Sequence, residues 1–215
     1  MIPLHRFARR AAALVLLLPL GACALASVAS EPPPQLFTLT AAHPVPVGEA
    51  AGQGARIVVD EFSAPAVIDT TRIVQQASAN ELKYYADARW ADRAPRMVET
   101  LLVETLENSG RFASVATRAA DLRGDYELVG DIRQFAVDAS SQSGPAVKVE
   151  LYARLVRDDE RTIVAVKSFS STVPVVGSGI AAIVMAYDAA LRQTLDGIAI
   201  WADQSARGAV KTAAK

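Results

Sequence analysis

Few residues in this chain have the types and spacing that chemistry needs. Its 215 residues include one cysteine and two histidines. That is too little for a zinc site, and a lone cysteine excludes an intramolecular disulfide framework. His43 lies in a stretch rich in Pro and Gly, with no nucleophile placed for it to activate. The acids Asp60-Glu61 and Asp158-Asp159-Glu160 fit a strand end and a turn, and form no paired-acid motif. Gly177-Ser178-Gly179 lacks the third glycine and the lysine of a phosphate-binding loop. These residues predict no catalytic centre, no metal and no bound cofactor. What remains is one thiol, Cys23, and an aromatic cluster of Tyr84, Tyr85 and Trp90 flanked by Arg89, Arg93 and Arg96.

Cys23 has an informative context. Residues 1–10 carry Arg6, Arg9 and Arg10 and no acid, and residues 11–20 are an uninterrupted run of apolar residues and Pro. This is the charged n-region and apolar h-region of an export signal. At ten residues the run is far below the roughly 20 that a membrane-spanning helix needs. It ends Leu20-Gly21-Ala22-Cys23, which resembles the lipobox of bacterial lipoproteins. The resemblance implies cleavage before Cys23, diacylglycerol in thioether linkage on its sulfur, and an acyl chain on the new amino group. A thiol suits that reaction because it is a better nucleophile than a hydroxyl at neutral pH. Residue 24 is Ala and not Asp, which under the enterobacterial sorting rule implies the periplasmic face of the outer membrane. Losing residues 1–22 removes three arginines and no acid, taking the formal charge from -1 to -4. The chain shows none of the basic excess expected of a nucleic-acid binder.

Composition bounds the rest. The chain is 51% apolar and 21% charged, so a globular core is expected and global disorder is not. Residues 1–22 read as the signal peptide and 23–34 as a lipidated, Pro-rich tether. Residues 35–205 read as one domain and 206–215 as a flexible tail. Within the domain, strand signals fall at 35–40, 56–62, 72–76 and 81–85. The spacing predicts a helix over 93–108, with Asp92 as N-cap, Pro95 in its first turn, and Gly110 as its stop. Tyr126, Leu128, Gly130 and Ile132 alternate with polar neighbours, and Phe135 and Val137 then fall out of phase. A bulge near Arg133 or Gln134 would produce that shift. The alternation of Val147, Val149, Leu151, Ala153 and Leu155 marks a half-buried strand, and 162–173 a third, giving an antiparallel meander with one wet face. A last helix is predicted from 180 to about 203 on the spacing of Ile183, Tyr187, Leu191, Leu195, Ile198 and Trp201. The predicted class is α+β, a mostly antiparallel sheet with two main helices packed on one face of a single domain.

Tyr84, Tyr85 and Trp90 admit two roles. Tyr and Trp dominate protein interface hot spots, and they also pack strand-to-helix corners. On a strand, Tyr84 and Tyr85 point to opposite faces, so one of them can be core while the other is exposed. Arg93 and Arg96 could pair with acids of a partner or form a solvated helix start.

The order of elements, with Glu81-Leu82-Lys83-Tyr84-Tyr85, Trp90-Ala91-Asp92-Arg93-Ala94-Pro95-Arg96, Ser109-Gly110-Arg111-Phe112 and Ala186-Tyr187-Asp188-Ala189-Ala190-Leu191, resembles the ABC-type transport auxiliary lipoprotein family. The family usually carries Leu where Ala94 stands. The resemblance covers essentially the whole mature chain. It implies a lipoprotein that works beside an ABC transporter and a periplasmic MCE-domain (mammalian cell entry type) protein. Such systems move lipids or other hydrophobic molecules between two membranes. It also implies docking without chemistry, with Tyr84, Tyr85, Trp90, Arg93 and Arg96 as candidate partner-binding residues. MCE proteins form hexamers, so a homo-oligomeric ring is a further implication. The alternatives are a lipid carrier, with an apolar cavity between helices and sheet, or an outer-membrane assembly factor similar to LptE-type lipoproteins.

Overall fold

The structure, a computed structural model, describes residues 33–43 and 54–213. The signal segment and Cys23 lie outside the described residues. Residues Gln35–Lys215 form one compact unit. Its elements in chain order are β1 (Gln35–Phe37), β2 (Arg56–Val59), β3 (Arg72–Ser78), β4 (Glu81–Trp90), α1 (Ala94–Asn108), β5 (Ser114–Thr117), β6 (Tyr126–Asp138), β7 (Ala146–Arg157), β8 (Thr162–Pro174) and α2 (Gly179–Ala213). All eight strands join one open sheet, and the two helices supply the second layer of an α+β fold.

β6 organises the sheet. Along one edge it pairs antiparallel with β7, which pairs antiparallel with β8. This is the expected meander, and the expected bulge lies between Ile132 and Gln134. The bulge lets Ile132 and Phe135 both point into the core, at 1% exposure each. The other edge of β6 is shared. β2 takes its first residues in parallel, and β3 takes its last, Val137 and Asp138. Between them Ser63 N donates to Gly130 O at 3.0 Å, and Ile132 N to Ser63 O at 2.7 Å. β5 extends one branch beside β2, while antiparallel β4 and then parallel β1 extend the other beside β3. The long pairings are therefore antiparallel, and the short parallel ones come from segments far apart in sequence. Gly130 is needed at the junction, because a Cβ there would lie 2.3 Å from Tyr152 O and 2.5 Å from the Phe62 ring.

The helix starts one residue later than predicted. Its N-cap is Arg93, extended at φ -57°, ψ 141°, with no side-chain cap, while Asp92 Oδ1 accepts from Arg93 N at 2.7 Å. Pro95 does sit in the first turn, and Gly110 ends the helix with φ 62°. α2 is longer than predicted. It continues to Ala213, so residues 206–213 are helical and not a frayed tail. Ala206 is buried, and its carbonyl accepts the Tyr126 hydroxyl at 3.3 Å. The sequence there is small and polar, and its packing against β6 leaves no periodic signature.

The core centres on three rings. Trp90 of β4 meets Tyr187 of α2 at 5.0 Å, edge to face, and Phe135 of β6 at 5.9 Å. Phe135 and Tyr187 are 4.9 Å apart, and the Tyr187 hydroxyl donates to Val74 O at 3.2 Å. Four elements are thus tied at one point. Among the described residues, no helix is long and apolar enough to cross a membrane.

Two carboxylates hold the sheet's ends. Glu127, 2% exposed, accepts from Arg118 before β6 and from Arg161 in the β7–β8 turn. Lys148 Nζ at 2.6 Å, with the Ser140 hydroxyl and amide, holds the Asp138 carboxyl at about 2, below the usual carboxylate range. The Glu127 cluster predicts an asymmetry. The double variant Arg118→Ala/Arg161→Ala leaves a buried charge unpaired and should cost about 3–5 kcal/mol in urea unfolding. Glu127→Gln leaves only exposed arginines and should cost clearly less. For Asp138, a folded pKa below the unfolded one means stability that is present above about pH 4 and lost as pH falls to about 2. Asp138→Asn should lower the melting temperature at pH 7 and flatten its decline across that window.

Candidate functional site

β4 carries most of the candidate residues, and pairing with β3 sets their faces. Tyr84 lies opposite Val74, and Leu82 opposite Gln76. Tyr84 is half-buried on the face away from the helices. The Arg72 guanidinium sits 4.2 Å over its ring, and its hydroxyl donates to Val67 O at 3.4 Å. Tyr85 takes the other face and packs against the core, where burial raises its hydroxyl pKa. The two tyrosines therefore divide between surface and core.

Trp90 is a correction. At 1% exposure in the aromatic triad it offers no surface to a partner. Its inward position depends on the register shift between Arg72 and Val74, which changes the phase of β4: Tyr84 and Arg89 both face outward, so Trp90 faces the helices. Arg93 and Arg96 are also not free cations. Arg93 reaches Glu61 at 2.6 Å and also pairs with Asp69, so it clamps the 60–71 loop onto the start of α1. Hydrogen bonds to Glu61 and then Asp69 raise its pKa further. Arg96 pairs with Glu99, which is 2% exposed and needs that cation. A charge reversal at either position therefore acts on the fold.

The structure instead brings Tyr84 together with residues that sequence spacing did not single out. Beside it a groove of about 370 Å³ opens on the outer face, lined by Pro65, Val67, Val74, Leu82 and Ala136. Leu82 is 49% exposed. The alternation of Leu82 and Tyr84 along β4 was visible in sequence, but the loop roof and the Ala136 floor come from distant segments. A larger cleft of about 1430 Å³ lies at the opposite end of β6, near Tyr126. Its lining includes five arginines and five aspartates. Charges of that density suit polar contacts and oppose an acyl chain. His43 is exposed, and no group of three or more His, Cys, Asp or Glu residues that could hold a metal is present among the described residues.

These placements separate core from surface by stability. Trp90→Ala should destabilise by about 3–5 kcal/mol. Arg93→Glu sets a third acid against Glu61 and Asp69 and should lower the melting temperature, by less than Trp90→Ala. Tyr84→Ala should cost less than Trp90→Ala, because part of its side chain is already in water. Thermal melts of the three variants check the order.

Comparison with known proteins agrees with this fold. A crystal structure of a protein from Xanthomonas campestris superposes with a TM-score of 0.75 at 29% identity, covering 82% of this chain and 99% of that one. A second solved structure, of an uncharacterized protein, gives a TM-score of 0.60 at 15% identity over 78% of this chain and 97% of that one, a likeness of fold alone. An uncharacterized protein of Bradyrhizobium diazoefficiens is 30% identical over 171 residues, 79% of this chain. The chain spans about 45% of the length of that relative. The profile of the ABC-type transport auxiliary lipoprotein component family matches residues 37–199, from the end of β1 through most of α2, and the chain belongs to that family.

Proposed function

We propose that this protein is a periplasmic lipoprotein of the outer membrane that docks an MCE-type ABC system moving lipids or other hydrophobic molecules between two membranes. The observation that carries this is the family match over residues 37–199 behind a lipobox at Leu20-Gly21-Ala22-Cys23. The anchor is Cys23, bearing diacylglycerol and an N-acyl chain. Several acyl chains hold far more firmly than the marginal grip of one. Ala24 favours the outer membrane over retention in the inner one.

Docking, and not catalysis, is the role assigned to the folded unit. Its buried polar groups serve the sheet's ends and the helix start, as at Glu127, Asp138 and Glu99. Lipid carriage within the domain is disfavoured by the filled helix–sheet layer, where Trp90, Phe135, Tyr187, Leu191 and Leu195 are all at or below 1% exposure. The transporter and its MCE protein would supply the path, and this protein the attachment point.

Two outcomes check the proposal. C-terminally tagged protein purified from detergent-solubilised envelopes should co-elute with an MCE-domain protein and its ABC components, without stoichiometric lipid on itself. Stoichiometric lipid without those partners would favour a carrier, and β-barrel assembly machinery an assembly factor. Cys23→Ala should move the domain from the membrane pellet to the soluble fraction with its melting temperature unchanged. Retention of that variant in the pellet would contradict the lipid anchor.

A further inference from the structure

The register of β3 and β4 places Arg72 directly opposite Arg89, and β1 places Leu36 beside Arg89. Residues paired in this way share a face with Cβ atoms about 4.5–5.5 Å apart, and like charges there destabilise a sheet. Arg72 stacks on Tyr84, so the shared face is the outer one, away from the helices. Other arginines nearby are answered: Arg154 reaches Asp131 at 2.6 Å, and Arg93 reaches Glu61 at 2.6 Å. Among the described residues, Arg72 and Arg89 make no ion pair.

Apolar surface lies alongside this uncompensated charge. Leu36 is 68% exposed, and Leu82 is 49% exposed on the same face as Tyr84. The groove of about 370 Å³ opens beside Leu82. Arg89 faces Arg72 and Leu82 faces Gln76, four residues further along β3, about 13 Å at strand rise. The face thus presents, in order, an exposed leucine, the opposed Arg89 and Arg72, Tyr84 under the Arg72 guanidinium, a second leucine and a recess.

We propose that the outer face of β1, β4 and β3 is the docking surface for an acidic segment of a protein partner. One of its carboxylates sits between Arg72 and Arg89, and an apolar side chain enters the groove beside Leu82. The inference rests on the docking role proposed above and names the chemistry of the partner. Charge complementarity supplies the first part, since a carboxylate removes the repulsion that the fold leaves unanswered. Shape supplies the second, since a recess takes a side chain and a flat bilayer does not enter it. A two-fold contact with another copy would face arginines with arginines. Tyr and Arg, which sit at the centre of this face, are also residue types in which binding energy concentrates.

The test uses the full lipidated chain in cells, with the photo-crosslinking residue p-benzoylphenylalanine at position 36, at position 82, or at Val166, an exposed control on β8. Adducts are mapped by mass spectrometry. Positions 36 and 82 should capture the same protein through a segment carrying Asp or Glu, and position 166 should not. Arg89→Glu forms a pair with Arg72, so it should hold or raise the melting temperature while reducing the adduct at least tenfold. Changing the mapped acid to Lys should restore capture by Arg72→Glu/Arg89→Glu. An adduct with phospholipid, with a second copy or with a segment lacking acids overturns the proposal. So does equal capture at position 166, no adduct, or a yield that Arg89→Glu leaves unchanged. Transport components recovered by affinity purification without these adducts would reject the surface and keep the docking role. An acidic segment from a protein outside any transport system would do the reverse.

Discussion

A central strand has two edges, and the backbone groups on both must find hydrogen-bond partners. β6 is thirteen residues long and buried along most of its length, so this demand shapes the whole sheet. One edge is met by a local hairpin with β7. The other is met piecewise by β2, by Ser63, and by β3, all of which precede β6 in sequence. The helix that packs on the sheet then has to cover both branches. Tyr187 ties the β3–β4 branch to β6 at a single point, touching Trp90 and Phe135 with its ring and Val74 with its hydroxyl.

Charge at the strand ends and the helix start follows the same logic of completion. Glu127, Glu99 and Asp138 are buried carboxylates, and each has a cation in contact. Arg93 joins two acids of the 60–71 loop to the helix start. These pairs hold ends and corners in place, where strands and helices leave backbone groups unpaired. On the open face Arg72 and Arg89 stand opposite each other without an ion pair among the described residues, the Arg72 guanidinium lying over the Tyr84 ring.

Membership of the ABC-type transport auxiliary lipoprotein component family fits a domain of this kind. Its layers are filled, its larger cleft is lined with charge, and its distinctive surface is a face and not a cavity. The proposed docking role therefore asks for surface chemistry alone. The same argument explains why the aromatic cluster divides as it does. Tyr84 serves the surface, while Tyr85 and Trp90 serve the core that keeps β4 in place.

Local pattern alone determined much of this protein. Period-two alternation marked β7 residue by residue, and a phase shift located the bulge in β6 because burial demands inward apolar residues on both sides of it. Helical spacing marked both helices, and Gly110 marked a stop because a positive φ suits glycine. The resemblance of residues 20–23 to a lipobox rests on a contiguous motif and needs no tertiary contact. Tertiary structure decided what depends on register and distance. The parallel pairings of β2, β3 and β5, the burial of Trp90, the capture of Arg93 and Arg96 by acids, and the helical course of residues 206–213 all arise between segments far apart in the chain. So does the opposition of Arg72 and Arg89, whose meaning depends on which strand lies beside which. Spacing reports the face that a residue takes on its own element, but its neighbours on that face come only from the packing of the whole.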